Sequence, residues 1–170
     1  DLVAAGADRV RRLRGQKMSM IFQDPLSSLH PFYKVGAQIV EAIRTHRDVS
    51  KQQAYEDFKR MLRIRRQYPE IFTFFPEDHR NANIEKVTSD CPLQAYARYA
   101  GQRAVIVLPN DGTAPLAATA AVDPAAIGLK ANKACRYTLL FPDTELRADG
   151  DTLHVTIPAR SLAVVLAEQA

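Results

Sequence analysis

The sequence predicts an α+β chain in which a short N-terminal strand and two helices precede an all-β antiparallel sandwich of about six or seven strands. Two observations carry this prediction. Apolar residues recur at helical spacing between residues 35 and 65, whereas from residue 93 onward they form short alternating or continuous runs of strand length. Turn-forming residues separate those runs and no helical segment intervenes, which is typical of an antiparallel sandwich.

The N-terminal part contains one strand pattern and one loop before its first helix. Met18–Gln23 (MSMIFQ) is the predicted strand, and Asp24–Pro31 is a loop rich in Pro and Ser. Residues 35–47 then predict an amphipathic helix, because apolar side chains recur on one face. That predicted face consists of Val35, Ile39, Ala42, Ile43 and His46.

A second helix is expected to start at Ser50. Ser50 and Gln53 form a capping-box pattern, in which the hydroxyl accepts a bond from a backbone N–H and the Gln amide reaches back to the cap. Pro69 sets the latest end of this helix near Gln67, because the residue before a proline avoids the α conformation. The predicted face of this helix consists of Ala54, Phe58, Met61, Leu62 and Arg65.

From residue 93 the chain shows the period of strands. Residues 93–100 and 103–108 are predicted to form a hairpin, whose two-residue turn Gly101-Gln102 suits type II′ because Gly takes the first position. The other predicted strands are Leu116–Val122, Arg136–Phe141, Glu145–Arg147, Leu153–Ile157 and Ser161–Leu166.

Between the helices and the strands lies Tyr68–Lys86, which is aromatic and punctuated by prolines and is interpreted as a packed connector. The period of the apolar residues changes on either side of it. The chain is therefore predicted to comprise a helical segment at residues 1–62, a helix end and connector at 63–92, and a β-sandwich unit at 93–170.

Composition and charge exclude several classes of protein. The 170 residues are 46% hydrophobic and 25% charged and include 7 Gly and 10 Pro, which excludes collagen-like and fully disordered chains. No apolar run approaches the roughly 18 residues of a membrane span, so no direct membrane insertion is expected. The N-terminal stretch is apolar first and basic second, the reverse of a secretory signal, which predicts a cytoplasmic location.

The net charge of +4 is concentrated in the first half of the chain. Residues 1–80 carry 15 Lys and Arg against 10 Asp and Glu, whereas residues 81–170 carry 8 against 9. Acidic residues interleave with the basic ones and no nucleic-acid module accompanies them, so a solvated helix surface is expected and no nucleic-acid partner. Cys91, Cys135 and the four histidines show no ligand spacing, so no metal is expected.

The most specific motif is KMSMIFQDPLSSLHPFYKV, at residues 17–35, continuing through GAQIVEAIRTH. It resembles the Q-loop region of the ATP-binding subunits of ABC transporters, closest to the dipeptide and oligopeptide importers. In that family a strand ends in MIFQDP, a Ser-Leu-x-Pro loop follows, and a helix opens with VGxQIxEA. The resemblance covers residues 1–62.

The resemblance implies roles for the loop. Gln23 matches the Q-loop glutamine, whose amide reaches the nucleotide-bound Mg²⁺ and the attacking water in a complete ATPase; a neutral amide offers both a donor and an acceptor for this. The loop that would face the transmembrane permease subunit consists of Asp24, Pro25, Leu26, Ser27, Ser28, Leu29, His30 and Pro31.

The departures from the family are as informative as the match. Phosphoryl transfer of the P-loop type needs GxxxxGK[ST] to cradle the phosphates and a Walker B carboxylate for the metal, and neither is present. The LSGGQ-type helix start is also missing, and VIVLPND at residues 105–111 lacks the Asp-Glu pair that would follow a Walker B strand. The chain alone is therefore expected not to be an enzyme and to use no cofactor, ATP and Mg²⁺ belonging only to the complete parent family.

Residues 65–170 more weakly resemble the C-terminal β-sandwich modules that follow the catalytic barrel of glycoside hydrolases. The resemblance rests on RRQYPEIFTFFPEDHRNANI, on the hairpin QAYARYAGQRAVIVLPNDG, and on the ending DGDTLHVTIPARSLAVVLAE. It implies a catalytic barrel as a partner and assigns no catalytic residue.

Three other groups of residues in this half are candidates for a functional role. Paired carboxylates of the type used by glycosidases, a sugar-stacking tyrosine and the residue types of a nucleophile triad all occur, but solvated charges, packing and a strand-turn-strand are the favoured interpretations. These candidates are Glu70, Glu77, Asp78 and Glu85; Tyr96 and Tyr99; and Ser161, Asp151 and His154.

Taken together, the sequence predicts an incomplete ATP-binding segment of a peptide-type ABC transporter joined to a noncatalytic β-sandwich. The alternative is a C-terminal accessory β-domain of a carbohydrate-active enzyme, structural or weakly glycan-binding. A third interpretation is a folded sandwich with a partly disordered N-terminal appendage and no activity.

Overall fold

The computed structural model of the chain describes residues 5–14, 18, 29–72 and 84–169. The chain divides into two units, Asp1–Met61 and Leu62–Ala170. The α+β class is confirmed, since helices dominate the described part of the first unit and an antiparallel sheet dominates the second.

The helices of the described residues are α1 (Ala7–Leu13), α2 (Val35–His46), α3 (Lys51–Gln67) and α4 (Pro69–Phe72). The two predicted helices correspond to α2 and α3, and α3 ends at Gln67, as Pro69 requires. Of the predicted strand Met18–Gln23, only Met18 lies among the described residues, where it forms an isolated bridge with Arg14. The remainder of that prediction lies outside the described residues.

The cap of α3 follows half of the predicted capping box. The backbone N–H of Gln53 donates to Ser50 Oγ at 3.1 Å, as expected. The Gln53 amide instead donates to Asp57 Oδ1 at 2.8 Å, one turn further along the helix. Asp57 is buried and also accepts from Arg47 Nη1 at 2.7 Å, so this carboxylate ties the end of α2 to α3.

The predicted face of α2 is confirmed at Ile39, Ile43 and His46, which are half-buried, and is wrong at Val35 and Ala42. Val35 is 51% exposed and Ala42 is also exposed, whereas Val40 is buried. The reason is close packing at Gly36, where a Cβ would lie 3.3 Å from Phe58 Cε1 on α3. This contact turns Val40 inward and leaves Val35 toward solvent.

The predicted face of α3 is confirmed at its start and wrong at its end. Ala54 is fully buried and Phe58 and Met61 are half-buried, but Leu62 and Arg65 are exposed and Ile64 is buried in their place. An interval of three residues from Met61 to Ile64 fits the 3.6-residue period as well as the predicted interval of four, and the sequence alone does not choose between them.

The second unit contains one antiparallel sheet of eight strands, in the order β5-β8-β3-β2-β1-β4-β7-β6. Its two edge strands, β5 and β6, contact each other, so the sheet curls back on itself. The strands are β1 (Ile84–Ser89), β2 (Ala95–Ala100), β3 (Arg103–Asn110), β4 (Leu116–Ala121), β5 (Arg136–Phe141), β6 (Leu146–Asp149), β7 (Thr152–Ile157) and β8 (Ser161–Glu168).

The strand count corrects the prediction of six or seven. The additional strand is β1, which lies within the predicted helix end and connector at residues 63–92. Only Val87 among its residues is buried, so the strand carries no alternating apolar pattern. Residues 84–87 of β1 pair with β2, whereas Thr88 and Ser89 pair with β4. One strand therefore joins the two halves of the sheet, in place of the two separate sheets of a sandwich.

The predicted hairpin between β2 and β3 is confirmed. Ala100 pairs with Arg103, which leaves a two-residue turn, and Gly101 has a φ of 60°. Gln102 is not among the residues with positive φ, so the turn is of type II′.

The two faces of the sheet are buried by different means. Inward side chains of both halves form one core, which includes Val87, Ile106, Leu153 and Val165. On the opposite face of β3, Val105 is only 1% exposed although it lies outside that core. The short helix α4, which contains the fully buried Ile71, contacts β2 and β3 on that face.

The end of the sheet near Asn110 is held by one buried amide. Asn110 is 3% exposed, and its Nδ2 donates to the carbonyl oxygens of Ala114, Ile157 and Pro158 at 3.0 to 3.1 Å. Its Oδ1 accepts from the N–H of Gly112 at 2.9 Å. One side chain thus joins the β3–β4 and β7–β8 connections.

Replacing Asn110 by Asp is therefore expected to destabilise the second unit. The substitution keeps the shape but turns the donor toward carbonyl oxygens into an acceptor, which should lower the free energy of unfolding by about 3 kcal/mol. Urea denaturation followed by circular dichroism measures this change. The control Asn132→Asp, at an exposed loop position, should change the free energy of unfolding by less than about 0.5 kcal/mol. Equal effects of the two substitutions would contradict the assigned role.

Candidate functional site

The predicted partner-coupling loop is described only at its end. Gln23, Asp24, Pro25, Leu26, Ser27 and Ser28 lie outside the described residues. Leu29, His30 and Pro31 are exposed, and three residues separate Pro31 from the start of α2 at Val35. The described structure therefore places the end of this loop at the surface.

Gln38, on the first turn of α2, fixes the described end of the loop. Its Oε1 accepts from the N–H of His30 at 2.9 Å, and its Nε2 donates to the carbonyl oxygens of His30 and Tyr33 at 3.1 and 2.9 Å. Sequence reasoning assigned no role to Gln38, although it is the Gln of the VGxQIxEA pattern. An amide just inside a helix that follows a Pro-rich loop is the signal that could have found it.

Large apolar side chains cluster at the surface beside this anchor. Phe32 is 90% exposed and Tyr33 is 64% exposed, and Leu29 and Val35 are exposed as well. The His30 and Tyr33 rings lie 4.5 Å apart between centroids. We call Leu29, Phe32, Tyr33 and Val35 the aromatic surface.

The candidate carboxylates are not brought together in the described structure. Glu77 and Asp78 lie outside the described residues. Glu70 Oε1 lies 3.6 Å from Arg103 Nη1, at the point where α4 meets the sheet, and Glu85 is exposed on β1. Glu70 thus takes part in an ion pair with Arg103.

The residues of the triad type are also separate. His154 Nδ1 lies 3.4 Å from Thr119 Oγ1, and Asp151 Oδ1 accepts from the Tyr137 hydroxyl at 2.6 Å. Ser161 Oγ is buried and has no hydrogen-bond partner among the described residues. No hydrogen bond joins the three residues, so they do not form a nucleophile and base pair.

The cysteines are free thiols in half-buried positions. Burial raises the pKa of Cys91, while a hydrogen bond with Ser89 opposes the shift and the charge of Asp90 adds to it. A raised pKa keeps the thiol protonated and poorly nucleophilic at neutral pH. Among residues 5–14, 18, 29–72 and 84–169, no group of three or more His, Cys, Asp and Glu could hold a metal ion.

A surface groove of about 470 Å³ lies where β1 leaves β2. Val87 and Ala95 are buried beneath the groove. The neighbouring side chains Lys86 and Gln94 lie on the outer face, because side chains alternate between the two faces along a strand. The groove is also lined by Lys86, Thr88, Ser89, Leu93 and Gln94.

The two tyrosines of β2 have different environments. Tyr99 packs on the core and covers Gly128, whose φ is 74° and where a Cβ would lie 2.4 Å from Tyr99 Cδ2. Tyr96 is 37% exposed on the outer face and pairs with Lys86 of the groove. The expectation that at most one of them points to solvent is confirmed, and that one is Tyr96.

No family model matches the chain. It is 45% identical over 62 residues to the glutathione import ATP-binding protein GsiA of Escherichia coli (strain K12) and to that of Shigella dysenteriae serotype 1 (strain Sd197). The matched segment is 36% of this chain, and the chain spans about a tenth of the length of these curated relatives.

Parts of glycoside hydrolase structures are also similar to this chain. An alpha-amylase from H. orenii has a TM-score of 0.47 at 19% identity, covering 87% of this chain and 25% of that enzyme. A debranching enzyme from Nostoc punctiforme has a TM-score of 0.45 at 17% identity, covering 93% of this chain and 29% of that enzyme. The comparisons with known proteins thus return both kinds of protein that the sequence resembles, each over part of its length.

None of the helices in the described ranges is both long enough and apolar enough to cross a membrane.

Replacing Gln38 by Glu is expected to loosen the end of the loop. The carboxylate loses both donors and faces the carbonyl oxygens of His30 and Tyr33, at a cost of about 1 kcal/mol. Amide hydrogen exchange at His30 should accelerate by about fivefold to tenfold. The control Gln102→Glu, on the exposed hairpin turn, should leave exchange at His30 unchanged. Unchanged exchange in the Gln38 variant would contradict the anchor.

The second unit should lose stability in alkali. Burial and the hydrogen bond to Asp151 raise the pKa of Tyr137, and burial and the charge of Glu168 raise the pKa of Tyr68. Above about pH 10 both hydroxyls ionise in the unfolded state but stay neutral in the folded state. Their contribution to the free energy of unfolding is therefore complete below about pH 10 and is lost as the pH rises above it. The slope for each tyrosine has an upper limit of about 1.4 kcal/mol per pH unit, which corresponds to one proton.

The variant Tyr137→Phe tests this assignment. Without the hydroxyl, the free energy of unfolding should fall less steeply above about pH 10 than in the wild type. Urea denaturation at a series of alkaline pH values measures both slopes. Parallel curves would show that Tyr137 does not contribute.

Proposed function

We propose that this chain is not an enzyme by itself, and that it joins a partial ABC ATP-binding segment to a noncatalytic β-unit. The observation that carries the proposal is the 45% identity over 62 residues to GsiA, a glutathione import ATP-binding protein. The match covers 10% of that protein. We therefore propose for this chain, as part of the same hypothesis, a role in import, a small peptide-like solute and a permease partner.

The chemistry of the 170 residues supports the absence of ATP hydrolysis. A phosphate-binding loop supplies backbone amides and a Lys to the phosphates, and a Walker B carboxylate holds Mg²⁺. Neither motif, nor an LSGGQ-type helix start, occurs in this sequence. In a complete ATPase, Gln23 would contact Mg²⁺ and the attacking water. Preorganised charge stabilisation supplies most of the rate in such sites, and its main sources, the phosphate-binding loop and the Walker B carboxylate, do not occur in this sequence.

The aromatic surface supports a docking role for the loop. Leu29, one of the predicted coupling residues, and Phe32, which follows the loop, present apolar area, and Gln38 holds the backbone at His30 in one position. Preorganised backbone lowers the entropic cost of binding. We propose that a permease subunit is the partner of this loop and that the chain acts in the cytoplasm.

The purified chain is expected to hydrolyse no ATP in the presence of Mg²⁺. The release of inorganic phosphate and the calorimetric titration of ATP with Mg²⁺ measure activity and binding. The variant Gln23→Ala is the matched control, because it removes the single inherited ATPase residue. ATP hydrolysis above the rate of that variant would overturn the proposal.

A second candidate function is an accessory β-unit of a carbohydrate-active enzyme. The observation that favours it is the outward groove beside Tyr96, on a unit that has its own core. The two functions differ in their partners. Capture of a purified glycoside hydrolase barrel by the chain supports the accessory unit, whereas capture of a permease subunit supports the transport segment.

A further inference from the structure

We infer that the exposed face of α3 binds a membrane surface that is rich in anionic lipids, without crossing it. That face carries Lys59, Arg63 and Arg66 together with Tyr55 and Leu62, and we call these five residues the basic surface. None of them belongs to the predicted coupling loop or lines the groove of the β-unit. A lipid surface is a partner that neither proposed function includes.

The helical period brings the five side chains of the basic surface to one side of α3. Counted from Tyr55, they occupy positions i, i+4, i+7, i+8 and i+11, which form one stripe on a helix with 3.6 residues per turn. Ala54, Asp57 and Ile64 are buried and lie on the opposite side of the same helix. The stripe is therefore directed away from the packed side of α3.

Exposed apolar side chains lie within this stripe. Tyr55 is 43% exposed and Leu62 is 38% exposed, and the three basic side chains are exposed as well. A helix that lies on a membrane surface combines these two kinds of side chain, because its apolar groups enter the headgroup region while its cations contact the phosphates. Tyrosine is also enriched at membrane interfaces.

The cations of the basic surface have few competing partners. Neither Arg63 nor Arg66 forms an ion pair within the described residues. Lys59 Nζ lies 3.4 Å from Glu56 Oε1 and 4.6 Å from the centroid of the Tyr55 ring. The pair of Lys59 and Glu56 is exposed to solvent, and such a pair contributes little. Lipid phosphates can therefore approach these cations without breaking a strong interaction.

The charge of this part of α3 has a single sign. Residues 58–67 include five basic side chains and no acidic one. The preceding carboxylates are the paired Glu56 and Asp57, and the buried Asp57 is bonded to Arg47. Each Lys or Arg close to an anionic lipid surface strengthens binding by a factor of about five. The three cations of the stripe together give about a hundredfold.

The apolar part of the stripe favours a lipid surface over a nucleic acid. Single-stranded nucleic acids are bound by cations together with aromatic rings on which bases stack. Leu62 has no ring for stacking and no donor for a phosphate, so it would contribute little there. On a membrane its side chain can leave water for the headgroup region, which is favourable for an apolar group.

The test is sedimentation of the full chain with two kinds of large vesicle, one of phosphatidylcholine alone and one that also contains about 30% phosphatidylserine. The chain is expected to bind the vesicles with phosphatidylserine at least about tenfold more tightly. Raising the salt from about 50 mM to about 300 mM should weaken this binding by at least about threefold, because salt screens exposed charges.

Three double variants assign the binding to the basic surface. Arg63→Gln with Arg66→Gln should weaken binding by at least about tenfold, because two cations are lost. Arg63→Lys with Arg66→Lys should retain binding within about twofold, since the charge remains. The matched control, Arg136→Gln with Arg147→Gln, removes the same net charge from exposed positions on β5 and β6 and should change binding by less than about twofold.

The apolar contribution is tested by Leu62→Asn. This variant keeps the charge and should weaken binding to the vesicles with phosphatidylserine by about threefold or more, because less apolar area enters the headgroup region. The helical signal in circular dichroism reports whether each variant remains folded, and the exposure of the replaced side chains favours retention of the fold.

Several outcomes would overturn the inference. Equal binding to the two kinds of vesicle would exclude recognition of anionic lipid. Equal losses in the two glutamine double variants would show that net charge attracts the chain and that the face of α3 does not. Release of bound vesicles by a single-stranded oligonucleotide that binds more tightly would assign the surface to nucleic acid instead.

Discussion

The change of partner along β1 is the constraint on which the second unit depends. Residues 84–87 complete one half of the sheet beside β2, and Thr88 and Ser89 start the other half beside β4. Because the chain passes from one half to the other within two residues, their inner faces are directed at each other and bury one core. The groove lies where β1 departs from β2. The core and the groove therefore both include residues of β1.

Much of this architecture could be predicted from local patterns, and β1 shows where prediction stopped. The β2–β3 hairpin follows from Gly101 between two apolar runs, and its positive φ is the property that the turn requires. In β1 only Val87 is buried, so alternation gives no signal, and its pairing with two partners is a property of the whole sheet. Asn110 likewise resembles an ordinary turn residue in the sequence, although its bonds to Ala114, Ile157 and Pro158 join distant segments.

The candidate sites were predictable to a smaller degree. The loop was found by a motif, which names residue types but not their contacts, so the anchoring role of Gln38 required coordinates. The helix faces were shifted for a related reason. Gly36 has no side chain and adds nothing to an apolar pattern, yet its close approach to Phe58 sets the rotation of α2. For Tyr96 and Tyr99, alternation correctly required opposite faces, and the packing of Tyr99 on Gly128 decided which one reaches solvent.

The two proposed functions require different kinds of binding, and neither requires catalysis. An apolar surface held by backbone hydrogen bonds suits a protein partner, because burying Leu29 and Phe32 releases water at little further cost in chain entropy. An accessory unit that binds glycan needs polar groups, such as those that line the groove, because each sugar hydroxyl that leaves water must find a replacement bond. Catalysis would require groups that act on one reacting atom, whereas Ser161, His154 and Asp151 bond separately or not at all within the described residues.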